Sequence, residues 1–195
     1  MSARIVMLGM PGAGKGTQSV LLAERLGVPA ISTGDIFRRN VAEKTALGQK
    51  VESFLSSGQL VPDELTDELV RDRLAQPDAL GGFVLDGYPR NVNQANALET
   101  MLPEGVVNID IVIELEVNED IVVQRMLDRA VIEGRPDDTE DVIRTRIEVY
   151  HEETKPLTVF YDDRGLLCRV DGIGTVEEVT QRMLDQVREH SDHEW

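Results

Sequence analysis

Gly9-Met10-Pro11-Gly12-Ala13-Gly14-Lys15-Gly16-Thr17 is the stretch whose reading decides the fold. It follows a short apolar run, Arg4-Ile5-Val6-Met7-Leu8, and precedes a helical pattern from Lys15 to Leu26 that Gly27 and Pro29 end. A buried strand, a glycine-rich turn with a lysine and then a helix is the context of a phosphate-binding loop, or P-loop. Glycines let the backbone curl so that successive N–H groups point inward at an anion. The helix start adds its partial positive charge, and Lys15 can reach outer phosphates. The plain alternative is a glycine-rich strand-to-helix turn, but spacing, lysine and context together argue against it.

Outward from this loop, strands and helices alternate. Val28–Ser32, Gly82–Asp86, Ile109–Val117 and Leu166–Val170 read as four further short strands. Asp35–Leu60 is more polar, with Gly48 and Gly58 as breaks, and reads as a helical hairpin outside the sheet. Pro62-Asp63-Glu64 is a good helix start, with acids at the positive end of the dipole. Asn91–Leu102 is helical, and Asn118-Glu119-Asp120 caps a helix running to about Glu133. Gly134–Asp138 is a short charged loop. Thr139 starts a long helix that should break or bend near Pro156. Thr175 and Glu178 form a capping box for the last helix, and the tail from His190 to Trp195 shows no pattern. The expected fold is α/β: three layers, α/β/α, around a five-stranded parallel sheet, in a single domain over residues 1–195.

Composition excludes several classes. The chain has 195 residues, 41% of them hydrophobic, which is enough for a sizeable core. No apolar run approaches the roughly 20 residues of a membrane span, and the N-terminus lacks a signal-peptide pattern, so a soluble cytoplasmic protein is expected. One cysteine, Cys168, leaves no internal disulfide and no multi-cysteine zinc site. The net charge of −16 disfavours nucleic acid as a partner. Against that acidic background, sixteen arginines stand beside only four lysines. Arginine's rigid fork of donors suits phosphate oxygens, and a local anion pocket is compatible with an acidic shell.

Leu85-Asp86-Gly87-Tyr88-Pro89-Arg90, followed by Gln94, carries the second most specific signal. A carboxylate at the end of a buried strand is costly unless a cation or hydrogen bonds accompany it. Gly87 lets a ligand approach the backbone, Arg90 can grip phosphate, and Gln94 can offer its amide to a base edge. A strand-end turn with an Asp–Arg pair is the plain alternative. Arg125, Arg129, Arg135 and Arg146 surround Gly134. Arg125 and Arg129, four apart, share a helix face, where like charges disfavour each other unless an anion binds. Singly, each would be an ordinary arginine paired with Glu119, Asp128, Asp137 or Asp138.

The motif Gly-x-Pro-Gly-x-Gly-Lys-Gly-Thr, with Gln18 after it, resembles the adenylate kinase family, and the resemblance extends from Ile5 to about Val187. It implies reversible transfer of a phosphoryl group between ATP and AMP to give two ADP, in line and without a covalent intermediate. It implies an AMP-binding insertion at residues 32–61 and a short lid at 129–138, without the longer lid that carries structural zinc in other members. Gly12, Ala13, Gly14, Lys15, Gly16 and Thr17 would hold ATP phosphates, Arg125 would stack on the ATP base, and the loop at Gly174 would touch it. Thr33 and Gly34 would lie against the AMP adenine with Gln94, Arg38 would hold the AMP phosphate, and Gln59, Leu60, Val61 and Gly87 would line that site. Lys15, Arg90, Arg129, Arg135 and Arg146 would surround the migrating group, with Arg90, Arg135 and Arg146 also contributing to the AMP site. Magnesium would be held through water by Thr17 and Asp86. The general P-loop motif places its Ser or Thr directly after the lysine, whereas Gly16 intervenes here, which weakens the case for direct coordination by the hydroxyl. A monomer with small-molecule substrates is expected. A UMP/CMP kinase would share most of these features, but relatives specific for pyrimidines tend to carry Ala and Asn where this chain has Thr33 and Gln94. A non-catalytic ATP/AMP sensor would not need the complete arginine set.

Overall fold

β1 (Arg4–Leu8) is the centre of the molecule. It pairs in parallel with β3 (Phe83–Asp86), Ile5 opposite Val84, and with β4 (Ile111–Glu116), Ile5 opposite Ile111. β2 (Ala30–Ser32) adds to β3, and β5 (Leu167–Asp171) adds to β4. The sheet is therefore five-stranded and all parallel, in the order β2-β3-β1-β4-β5. The computed structural model describes residues 3–102, 109–135 and 137–192; Pro136 of the expected lid and the last three residues of the tail lie outside them.

Parallel strands must be covered on both faces, and two apolar cores do this. Ile5, Met7, Ile113 and Leu115 pack against α1 (Lys15–Leu26) and α9 (Val176–Asp192) through Leu22, Met183 and Leu184. Val6, Leu8, Leu85 and Val112 pack against α4 (Asp63–Leu74), α5 (Val92–Met101) and α8 (Pro156–Asp162) through Val70, Leu98 and Leu157. Each fully buried side chain of this kind contributes about 1.5–3 kcal/mol relative to exposure. α1 leads away from β1 to β2 on one side, whereas β4 lies on the other. The strand order reverses at β1, and a crevice opens at the C-terminal strand ends there.

Two smaller clusters stand apart from the sheet. α2 (Thr33–Ala42) and α3 (Ala46–Ser57) form a hairpin with its own core of Phe37, Val51 and Val61. α6 (Glu119–Ile132) and α7 (Glu140–Val149) meet through Met126, Ile143 and Ile147. Caps set the helix starts: the Ser32 hydroxyl accepts from the Asp35 N–H at 3.3 Å, and Asn91 accepts from the Gln94 N–H at 2.9 Å. The capping box is formed, with Thr175 N–H donating to Glu178 and Glu178 N–H to the Thr175 hydroxyl.

Two expectations need correction, and a third, the break near Pro156, takes a more specific form. Gly48 does not break the hairpin; it lies in the first turn of α3, where a Cβ would stand 2.1 Å from the Asn40 carbonyl oxygen, so it is a close-packing position. The long helix departs from α-geometry earlier than Pro156: Tyr150–Thr154 form a π-helical turn, closed by Lys155 N–H donating to the Tyr150 carbonyl at 2.8 Å. The wider turn accommodates the ring and missing N–H of Pro156 before α8 begins. The last helix also continues to Asp192 rather than ending at His190, since no breaker intervenes.

Gly48→Ala is expected to lower unfolding stability by about 2–3 kcal/mol through overpacking against α2, read from urea denaturation. Gly81→Ala, where a Cβ meets open space, should change stability by less than about 0.5 kcal/mol.

Candidate active site

The crevice at the strand ends is a cleft of about 730 Å³, in the size range of ligand sites. The P-loop forms its floor. The Lys15 ammonium curls back to donate to the carbonyls of Gly9 at 2.7 Å and Met10 at 2.9 Å. Burial pushes its pKa down to about 8; Asp86 opposes this, and Arg90 and Arg129 add to it. The uncharged form gains because the ammonium loses water and faces other cations, a debt that a phosphate would reverse. Arg125 closes one side by donating to the carbonyls of Ala13 at 3.2 Å and Gly172 at 3.3 Å. It thereby joins the P-loop to the loop after β5.

On the opposite side the β3–α5 turn meets the start of α2. Gly87 has φ +82°, and a Cβ there would lie 2.7 Å from the Thr33 hydroxyl, so only glycine fits. Thr33, 2% exposed, donates its hydroxyl to the Gly87 carbonyl at 2.9 Å. The Arg90 side chain donates to the same carbonyl at 3.0 Å. Arg38 donates to Asp35 at 2.6 Å.

Around the α6–α7 loop the arginines are shared among carboxylates. Asp138, whose side chain is fully buried, takes Arg129 Nε at 2.8 Å and also pairs with Arg146, which reaches Asp137 as well. Arg135 donates to Glu133 at 2.6 Å. The ion pairs that would make these ordinary arginines are thus present at Asp137 and Asp138, while Glu119 instead meets His151 and Asp128 accepts from Gln124. Even so, all these guanidinium groups belong to residues lining the one cleft.

Every residue proposed from the sequence lines that cleft: the P-loop from Gly12 to Thr17, Thr33, Gly34, Arg38, Gln59, Leu60, Val61, Asp86, Gly87, Arg90, Gln94, Arg125, Arg129, Arg135, Arg146 and Gly174. Several supporting contacts escaped the sequence reading. Gln18 is 4% exposed and ties the P-loop helix to α9, donating to the Val176 carbonyl at 3.0 Å and accepting from Thr180 at 2.8 Å. Thr154, carried by the π turn, donates to the Arg90 carbonyl at 2.7 Å. Arg182 donates to the carbonyls of Asp171 and Ile173 and shapes the loop at Gly174. Asp63 receives the Gln94 amide at 2.8 Å. Asp63 had a visible signal as an acid in a helix's first turn, but that signal points to the dipole and not to a side-chain partner.

A P-loop at the switch point of a parallel sheet, on the floor of a cleft rich in arginine, defines a phosphotransferase that handles phosphorylated ligands. The comparisons with known proteins narrow the class. A family model described as adenylate kinase matches residues 7–166. The chain is 51% identical to an adenylate kinase of Thermobifida fusca over 95% of its length and 98% of the relative's. It is 55% identical to one of Nocardia farcinica over 93% and 97%, and 52% identical to one of Mycobacterium bovis over the same shares. The chain belongs to the adenylate kinase family, and its activity is that of a nucleoside monophosphate kinase, adenylate kinase.

Asp138→Asn should leave Arg129 and Arg146 undercompensated in a partly buried setting. A loss of about 3 kcal/mol in urea denaturation is expected.

Proposed function

We propose that the chain moves the terminal phosphoryl of ATP to AMP in line, with the cations of the cleft as its chemical machinery. The observation that carries this reading is the convergence of Lys15, Arg38, Arg90, Arg129, Arg135 and Arg146, from widely separated segments, on one cleft. Phosphoryl transfer asks little covalent work of a protein; it needs alignment of the two oxygens and stabilisation of charge on the equatorial ones. In this reading the P-loop amides and Lys15 hold the ATP phosphates, and Arg125 and the Gly174 loop hold its base. Thr33, Gly34, Gln94 and the Gln59–Val61 stretch take the AMP base and ribose, and Arg38 and Arg90 take its phosphate. Arg129, Arg135 and Arg146 exchange carboxylate partners for the migrating group.

Magnesium belongs to the proposal. Asp86 and the Thr17 hydroxyl both line the cleft, and Asp86 lies 3.7 Å from where a Gly16 Cβ would stand. Oxygen donors of this kind suit a hard cation that keeps its own waters. Bound there, the ion would neutralise charge on the ATP phosphates. A metal cluster of three or more His, Cys, Asp or Glu is not found among the described residues.

The α2–α3 hairpin and the loop between α6 and α7 are proposed as the moving parts that exclude water. Their separate small cores support this. We take the protein to be a monomer; among its exposed large apolar residues Val20, Leu80 and Val159 fall on separate elements, and Val131 and Ile132 are neighbours at the end of α6. A cytoplasmic setting fits its nucleotide substrates and its free Cys168. No helix among the described residues is long and apolar enough to cross a membrane.

Three measurements test the reading. Supplying ATP and magnesium with AMP, UMP, CMP or GMP in turn should give ADP fastest with AMP; preference for UMP or CMP would overturn the base assignment. Arg90→Ala should lower kcat by roughly 10²–10³ with an unchanged melting temperature, and near-normal turnover would remove Arg90 from the mechanism. With the Lys15 pKa near 8, its charge is lost as pH rises through that value in the free enzyme. The pH profile of kcat/KM for ATP should therefore fall above about pH 8, while kcat at saturating ATP holds to higher pH because bound phosphate raises the lysine pKa.

A further inference from the structure

We infer that Asp63 fixes which end of the Gln94 amide donates and which accepts, and thereby selects a 6-amino purine over a 6-oxo purine as the phosphoryl acceptor. The inference rests on the proposed place of Gln94 against the acceptor base. Gln94 is 1% exposed, and both polar ends of its side chain are held. Its Oε1 accepts from the Arg90 backbone N–H at 2.8 Å, and its Nε2 donates to Asp63 Oδ1 at 2.8 Å. The same carboxylate accepts from Asn91 Nδ2 at 3.0 and 3.3 Å, and Asn91 Oδ1 in turn accepts the Gln94 backbone N–H at 2.9 Å. Asp63, Asn91 and Gln94 thus form a closed ring of hydrogen bonds that spans α4 and the start of α5. Gln94 lines the cleft, and Asp63 stands behind it.

An ionised carboxylate can only accept, and a backbone N–H can only donate. Turning the Gln94 amide over would set Oε1 against the Asp63 carboxylate and the Nε2 hydrogens against the Arg90 N–H. Two hydrogen bonds would be lost and two repulsive contacts made, in a buried place where an unmet polar group is expensive. The native setting keeps one Nε2 hydrogen and one Oε1 lone pair for a ligand. Adenine offers an acceptor at N1 and a donor at its 6-amino group, which match that pair. Hypoxanthine has the same outline with the two roles exchanged: N1–H donates and O6 accepts. Only a turned amide would meet it. Asp63 is therefore a positioning residue that acts through Gln94.

The test is kcat/KM for AMP and for IMP, with ATP and magnesium, using the full chain and its Asp63→Asn and Gln94→Ala variants. An asparagine at 63 can accept from Asn91 and still donate to a turned Gln94. The AMP-to-IMP ratio is expected to fall roughly tenfold in Asp63→Asn, a step on the scale of one hydrogen bond. Arg90 N–H still favours the native setting, so the change should be smaller than in Gln94→Ala. If Asp63→Asn lowers both constants by one common factor, Asp63 is only structural and the inference is overturned. If Gln94→Ala lowers the ratio but Asp63→Asn does not change it, the base reading stands and the role of Asp63 fails. If neither lowers it, the base reading itself fails and the inference with it. Asp63→Ser, whose hydroxyl also donates or accepts, gives the same discrimination should the asparagine variant not fold.

Discussion

The cost of burying several cations at one place is the constraint on which the structure depends. Lys15, Arg90, Arg129 and Arg146 face a common cleft, and burial, with smaller contributions from Arg90 and Arg129, holds the lysine pKa down. The protein holds the cations together in two ways. Asp86 supplies compensating charge to Lys15 and Arg90, Asp138 to Arg129 and Arg146, and Asp137 to Arg146. The backbone supplies the rest, through the carbonyls of Gly9, Met10, Ala13, Gly87 and Gly172, which accept from the cationic side chains. In the proposed reading a polyphosphate would replace these internal acceptors with stronger ones, and the cluster would serve a ligand more than the stability of the fold.

The sheet was legible because its cause is local in sequence: apolar runs ended by glycine, each followed by a helical pattern. Strand bounds differ from expectation by one or two residues, as at Val28 and Ile109, which each lie two residues before the first residue of β2 and β4. The site was legible because its residue types are chemically costly without a ligand. What escaped depends on distance in sequence. Gly48 reads as a breaker until the carbonyl of Asn40 is seen against it. Thr154 reaches Arg90 only because a π turn rotates it into place, and no pattern in the sequence marks that turn. The capping role of Ser32 and the packing of Thr33 on Gly87 coexist at the start of α2, and the second depends on a partner 54 residues away.

The overall charge of −16 and the arginine-lined cleft act on nucleotides over different distances. Far from the surface the acidic shell repels an anion, and within about a Debye length of roughly 8–10 Å the local cations govern. Added salt weakens both, so its net effect on capture is a difference between opposing contributions.

The α2–α3 hairpin has a further consequence. Its core has three buried side chains, whereas the sheet is flanked by two large clusters. Cooperative opening of such a unit needs less free energy than global unfolding, so its backbone amides would exchange with solvent ahead of those in β1 or β4. Substitutions at Phe37, Val51 or Val61 can then tune how readily one flank of the cleft loosens at a given temperature, while the melting of the sheet is set elsewhere. Thermal adaptation of turnover and thermal adaptation of the fold would be separable traits in this chain, written into different residues.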